Sequence, residues 1–227
     1  MKLINIVKRA MPKKIKKFIK DYLFIRKYGF KPPPRFSDMS GYELLLDTIL
    51  QQILYKLEGD FIEIGVFLGG GTYKLAKLLE KLKSDKKIYA IDIFDPEFDK
   101  TICTSGFAMS NLYKEILKGK NQYKIYNEII KDCKNVITLV EDSKKISLPC
   151  EKIAFAYIDN NHSSEYVEND FYLVWNKLVP RGIVAFDDYG YDLPQVTKTI
   201  HKLIGEQSND IFKVWTAGIN KIFIQKK

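Results

Sequence analysis

The chain has 227 residues, 46% hydrophobic and 29% charged, with a formal net charge of +9, enough for one domain with a full core. No apolar run approaches the ~20 residues that span a bilayer, which excludes an integral membrane protein, and no apolar stretch with a small-residue cleavage site marks a secretory signal. Cys103, Cys133 and Cys150 lack CxxC spacing and read as thiols of a reducing compartment, so a cytoplasmic protein without a zinc site is expected.

The charge is concentrated at the front. Residues 1–31 carry eleven basic side chains and one acid, Asp21, a net +10 that leaves the remainder at −1. A near-neutral body argues against nucleic acid, whose binding calls for a basic face on the domain itself. Ile15, Phe18, Ile19, Tyr22 and Ile25 recur at helical spacing with Lys13, Lys16, Lys17 and Lys20 between them. Residues 1–36 therefore read as a basic amphipathic arm closed by the extended linker Pro32–Pro34. Two placements fit. The stripe packs on the domain with its lysines in water, the commoner use of such a pattern, or it lies peripherally on an anionic membrane surface at the inner face.

From residue 37 onward the elements follow in order. GYELLLDTILQQILYKLEG is helical, with Asp38 or Ser40 as its cap and Gly59 as its stop. Strands are expected at Asp60–Val66, Lys87–Phe94, Asn135–Asp142, Lys152–Asp159 and Gly182–Tyr189. Helices fall between them, in GGTYKLAKLLEKLK, SNLYKEILKG, QYKIYNEIIKDC and SSEYVENDFYLVWNKLV, with LPQVTKTIHKLIGE after the last. The tail IFKVWTAGINKIFIQ reads as a hairpin about Ala217-Gly218. This alternation predicts an α/β, doubly wound, mostly parallel seven-stranded sheet with a C-terminal antiparallel hairpin, spanning residues 37–227. The connection 95–120 is long for a compact domain and reads as a lid.

The turn after the first strand, EIGVFLGGGT (Glu63–Thr72), is rich in glycine. Gly65 permits a tight turn, and Gly69, Gly70 and Gly71 are expected to let a ligand approach the backbone. The spacing is not G-x-G-x-x-G, and no Lys-Ser/Thr follows as in a P-loop. Glu63 would repel a pyrophosphate but suits a ligand with a positive amino group. Asp92 ends the second strand, where an acid commonly accepts ribose hydroxyls. Glu141, Asp142 and Ser143 end the third and offer partners for an adenine edge. An adenosyl ligand with a cationic head, S-adenosylmethionine, answers all three.

With the terminal hairpin, this set resembles the class I S-adenosylmethionine-dependent methyltransferase fold from about Ser40 onward. The resemblance implies that Glu63, Gly65, Gly69 and Thr72 line the methionine end, Asp92 the ribose, and Asp142 with Ser143 the adenine. Val66, Ile93 and Asp159 complete the expected cofactor-binding residues.

The fourth strand ends in Asp159-Asn160-Asn161-His162 and the fifth in Asp187-Asp188-Tyr189. Carboxylates converging on one rim repel unless protonated or shared by a cation. Mg²⁺ or Mn²⁺ meets that need and would acidify a substrate hydroxyl. Asp159 followed by PRGIVAFDDYG resembles the macrocin O-methyltransferase group, which methylates sugar hydroxyls with Mg²⁺. That resemblance implies Asp159, Asp187 and Asp188 as metal ligands.

One position departs from the group. Where its members carry a second acid as the proposed base, this chain has Asn161, and an amide takes no proton at neutral pH. His162, with an ordinary pKa of ~6.5, is a candidate base; serving the cofactor and capping the next helix are the other readings. His201 reads as a surface residue, and Phe94, Phe98, Phe107, Tyr189 and Tyr191 as rim aromatics.

The expected activity is S-adenosylmethionine-dependent, metal-assisted O-methylation of a sugar unit in a glycan, glycolipid or glycosylated metabolite. His162 and Asp159 are the catalytic residues under this reading. Expected partners are that acceptor, a membrane surface met through residues 1–31, and a second copy of the chain. A nicotinamide-dependent oxidoreductase and a non-catalytic binding domain on the same fold are the alternatives.

Overall fold

The computed structural model describes residues 12–38 and 41–227. Lys2, Lys8 and Arg9 of the basic arm and the candidate cap Ser40 lie outside the described residues. The first helix, α1 (Lys13–Tyr28), ends at Gly29, whose φ of +80° lets its N–H reach the Ile25 carbonyl. It docks through Phe24 and Tyr28, which are buried. The Tyr28 hydroxyl donates to Asp47 Oδ1 at 2.9 Å, and Phe24 packs edge-on against Phe30. The expected apolar stripe is not what docks. Phe18 is 71% exposed, and Ile15, Ile19, Tyr22 and Ile25 are exposed with it.

Helix α2 (Tyr42–Gln51) is shorter than its periodicity predicts. Ile53 takes a left-handed conformation, φ +56°, and a 3₁₀ turn, Leu54–Lys56, follows. The turn still buries Leu54, so the apolar spacing runs on past the break. Gly41 stands at the N-cap of α2, while Asp38 is drawn away into an ion pair with buried Lys74.

The remaining elements are β1 (Asp60–Ile64), α3 (Gly70–Lys81), β2 (Ile88–Asp92), α4 (Met109–Leu117), α5 (Gln122–Ile130), β3 (Val136–Val140), β4 (Ile153–Ile158), α6 (Ser164–Trp175), β5 (Leu178–Phe186), α7 (Pro194–Glu206), β6 (Ile211–Ala217) and β7 (Lys221–Lys226). They form a seven-stranded sheet of order β3-β2-β1-β4-β5-β7-β6. The first five strands are parallel, and β7 runs antiparallel to both β5 and β6. Strand β5 starts earlier than expected because Leu178 already pairs with Ile153 before a register irregularity.

Side chains alternate between the two faces, as the strand period requires. Ile62, Ile64, Ala156, Ile158 and Val184 meet α6 and α7 on one face. Phe61, Phe155, Tyr157, Ile183 and Phe223 meet α1, α2 and α3 on the other. Strand β4 is buried along its whole length, which is why it reads as an unbroken apolar run. Among the described residues, no helix is long and apolar enough to cross a membrane.

Candidate active site

Strand order reverses between β1 and β4, so the crevice lies at their carboxyl ends. The register does the rest. Ile91 pairs with Ile64, Ile64 with Ile158, and Ile158 with Phe186. The next residue on each strand therefore falls in one row: Asp92, Gly65, Asp159 and Asp187. A cavity of about 230 Å³ opens over this row. Gly65, Val66, Asp92 and Ile93 line one side, and Asp159, His162, Asp187 and Asp188 the other. Segment 95–120 roofs it with Asp95, Phe98, Asp99 and the Met109, Leu112 and Tyr113 face of α4. Glu63, Gly69, Thr72, Asp142 and Ser143 do not line it.

The glycine turn is tight because the chain itself presses on it. A Cβ at Gly65 would stand 1.9 Å from the Asp159 carbonyl oxygen, one at Gly70 1.7 Å from the Ser37 carbonyl oxygen, and one at Gly71 1.9 Å from the Tyr42 ring. Gly69, with φ +79°, faces Tyr126. Gly70 and Gly71 border the cavity with their backbone, while a side chain at 69, 70 or 71 would run into Tyr126, Ser37 or Tyr42. Asp92 braces the same turn. Its Oδ2 accepts from the N–H groups of Val66 and Phe67, at 3.0 and 2.9 Å, and its Oδ1 from that of Phe94.

Glu63 lies fully buried behind this turn. Tyr42, which does line the cavity, donates its hydroxyl to Glu63 Oε1 at 2.9 Å. Glu63 Oε2 and the buried Thr72 hydroxyl are near each other but not aligned as a hydrogen bond. Burial raises the Glu63 pKa to about 7, against the pull of Thr72 and Tyr42. An unsatisfied buried carboxylate beside the turn fits a ligand that brings a cation. Asp142 and Ser143 are buried and bonded internally: Tyr166 donates to Asp142 at 3.2 Å and Asn160 to Ser143 at 3.3 Å.

The rim acids divide into two kinds. Asp187 is already paired, its Oδ2 taking the Tyr157 hydroxyl at 2.7 Å and standing 2.8 Å from Lys221 Nζ. Asp159 and Asp188 instead share the space around His162. One ligand atom from each of Asp159, His162 and Asp188 lies within 4.8 Å of the others. His162 Nδ1 meets Asp99 Oδ2 at 2.5 Å. Its Nε2 is 2.8 Å from Asp188 Oδ2 and 3.9 Å from Asp159 Oδ1, yet is aligned with neither as a hydrogen bond. Burial opposes charging the ring, but Asp188 and Asp99 outweigh it and push the His162 pKa up to about 10. Burial, with the charges of Asp187 and Asp188, raises Asp159 well above the carboxylate range.

These acids favour the charged form of the His162 ring, whereas a general base or a metal ligand needs the neutral one. His162 does not cap α6, since Ser163 holds that position. Asn161 is structural: its Nδ2 donates to the Phe98 carbonyl and its Oδ1 accepts from the Ser163 N–H.

Residues 62–189, more than half of the chain, match the family model described as a methyltransferase domain. The chain belongs to the methyltransferase-domain family. Among solved structures, this methyltransferase superposes on the O-methyltransferase NovP with a TM-score of 0.66 at 18% identity, covering 82% of this chain and 79% of that one. The calicheamicin methyltransferase CalS11 gives 0.56 at 16%, covering 80% and 77%. SMU.1697c of Streptococcus mutans, in complex with SAH, gives 0.55 at 14%, covering 82% and 97%. At these identities the likeness is one of fold. A comparison with curated protein sequences finds no match.

Several residues of this methyltransferase site escape sequence reasoning. Asp99, Tyr42, Lys221 and Tyr157 reach their partners from distant segments, and no local spacing marks them. Lys221 alone leaves a trace, as a charge opening the apolar strand KIFIQ. The rim aromatics scatter: Phe98 lines the cavity, Phe94 packs on Tyr123 and Tyr126, and Tyr191 is exposed. The exposed His201 ring bonds the Tyr189 hydroxyl at 2.7 Å.

Proposed function

We propose that this methyltransferase transfers the methyl group of S-adenosylmethionine to a hydroxyl of a sugar unit in a glycan, glycolipid or glycosylated metabolite. A divalent cation, Mg²⁺ or Mn²⁺, would be held by Asp159, Asp188 and His162. One observation carries the reading: a single cavity joins the glycine turn and Asp92 to the Asp159–Asp188–His162 cluster. Transfer to oxygen is supported by likeness to the O-methyltransferase NovP, and the sugar acceptor by likeness to CalS11, a TDP-rhamnose 3'-O-methyltransferase. Family membership sets the nicotinamide oxidoreductase aside.

The residues fit both groups. Unpartnered Glu63 Oε2 suits an ammonium, and Gly65, Val66, Asp92 and Ile93 border the space for the rest of the cofactor. Around the cation, Asp159 and Asp188 give hard oxygens, and the Nδ1 contact with Asp99 aims His162 Nε2 at the cluster, the usual outer partner of a ligand histidine. A mixed oxygen and nitrogen set suits Mn²⁺ better than Mg²⁺. Asp187, tied to Lys221, shapes the rim from behind.

When bound, the cofactor offers a sulfonium methyl and the ion lowers the pKa of the acceptor hydroxyl. The chain's part is orientation. Among the described residues no hydrogen bond satisfies the Asp159 carboxylate, so a substrate O–H entering the cavity meets an acceptor there. Tyr113 and Phe98 cover the rim and exclude water. With the cofactor held along this row, transfer of its methyl carbon to the hydroxyl oxygen would leave S-adenosylhomocysteine and release the hydroxyl proton.

The test is calorimetric titration with S-adenosylmethionine, followed by a screen of glycosides with and without chelator. Expected are cofactor binding without metal, and transfer that chelator abolishes and Mn²⁺ restores. Transfer unaffected by chelator removes the ion from the reading. Cofactor binding with no transfer to any glycoside favours a non-catalytic domain.

A further inference from the structure

Among the described residues, nothing lies over the face of α1 that points away from the domain. At ~3.6 residues per turn, Phe24 and Tyr28 mark the docked side, with half-buried Asp21 beside them. Ile15, Phe18, Ile19 and Tyr22 follow the i, i+3, i+4, i+7 spacing of a single face, opposite to that side. Leu23 and Ile25 border the same face, and all six are exposed. A run of exposed apolar side chains this long marks a contact surface rather than ordinary surface. On the helical projection Lys14 stands at one edge of this face and Lys16 at the other, while Lys20 lies further round, toward Phe24 and Glu43. The arm's net charge is +10 within residues 1–31.

We infer that α1 lies on an anionic lipid surface, its Ile15–Phe18–Ile19–Tyr22 face among the acyl chains and its lysines at the headgroups. Charge selects this occupant. A second copy docking helix to helix would set one arm of +10 against another, a repulsion that the apolar contact would have to overcome. A lipid surface of negative charge gains from the same lysines. The arrangement, apolar on one side with basic residues at its edges, is that of helices lying in the interfacial plane. Tyr22 suits the depth where ring and hydroxyl meet different media. The inference rests on α1 alone and is independent of methyl transfer.

The experiment sediments the full chain with vesicles of phosphatidylglycerol and phosphatidylcholine, and with vesicles of phosphatidylcholine alone. The wild-type chain is expected to pellet with the anionic vesicles at least about tenfold more tightly than with the neutral ones, and less so as salt rises. Ile15→Asn/Phe18→Asn/Ile19→Asn is expected to weaken that binding by about tenfold or more. Its melting temperature stays unchanged, since these side chains touch no core. Should that variant unfold, Lys14→Gln/Lys16→Gln decides by the same direction of loss in a chain whose apolar face is intact. No pelleting of the wild type overturns the inference, as does equal pelleting of wild type and variants. Light scattering adds one more outcome: a dimer that the Asn variant splits, in a chain that ignores vesicles, assigns the face to a second copy and overturns it too.

Discussion

Glu63 sits in the folded protein with one oxygen on Tyr42 and the other without a hydrogen bond, and its proton affinity records that setting. Its pKa rises from 4.5 to about 7, so the folded form holds a proton that the unfolded chain releases between those values. The contribution is fully present below the unfolded pKa and is lost as pH rises through about 7, a loss of about 3 kcal/mol. Glu63→Gln keeps an acceptor for Tyr42 and removes the titration. In urea denaturation the variant should match wild type near the unfolded pKa and exceed it by about 3 kcal/mol above the folded one; parallel stability curves would disprove the account. Lys221 poses the converse case. It is 1% exposed and holds the half-buried Asp187, so Lys221→Met leaves that carboxylate without its counter-ion at a cost of about 1–3 kcal/mol. Adding Asp187→Asn should recover most of that loss, and strictly additive single-mutant costs would argue against the pairing.

At the scale of elements, segment 95–120 is fastened both to the site and to α6, where Phe98 packs edge-on against Tyr166. Asp99 binds His162, the Phe98 carbonyl binds Asn161, and Ser105 reaches Asp192 at 3.0 Å. Asp99→Asn weakens the charged tether, and limited proteolysis within 95–120 should then run about tenfold faster. Cofactor with Mn²⁺ should slow cleavage there in the wild-type chain. Cleavage rates indifferent to both changes would show that the roof is held by other contacts. Sequence periodicity placed the helices and strands well but misjudged what some of them do. In α2 it could not see the break at Ile53, because Leu54 in the following turn keeps the apolar spacing. In α1 it found the stripe yet not its surroundings: a row of apolar residues shows that a face exists, whereas Phe24 and Tyr28, on the opposite side, do the docking.

For the whole molecule, the order β3-β2-β1-β4-β5-β7-β6 turns scattered acids into a site. Asp92, Asp159, Asp187 and Asp188 are legible in the sequence because each ends an apolar run, and parallel register sets the first three level with Gly65. What stayed hidden depends on contact across the sheet. Lys221 enters on β7, antiparallel beside β5, and so splits the pair Asp187-Asp188 into one acid held by Lys221 and Tyr157 and one that takes Asn220 and faces His162. Asp188 reaches its position with φ +57°, a conformation aspartate tolerates better than most residues. No spacing in FDDYG foretells that division.

The ring of Tyr42 occupies the place where a side chain at position 71 would begin, and it is fixed there by its hydroxyl on Glu63 and by its edge against Tyr157. Positions 42 and 71 therefore cannot drift separately. In related chains any growth at 71 should be accompanied by loss of the aromatic at 42, and with it the hydroxyl that steadies Glu63. Gly71→Ala alone should fold poorly, Tyr42→Ala/Gly71→Ala should regain the fold, and the regained protein should have a looser grip on a cationic ligand.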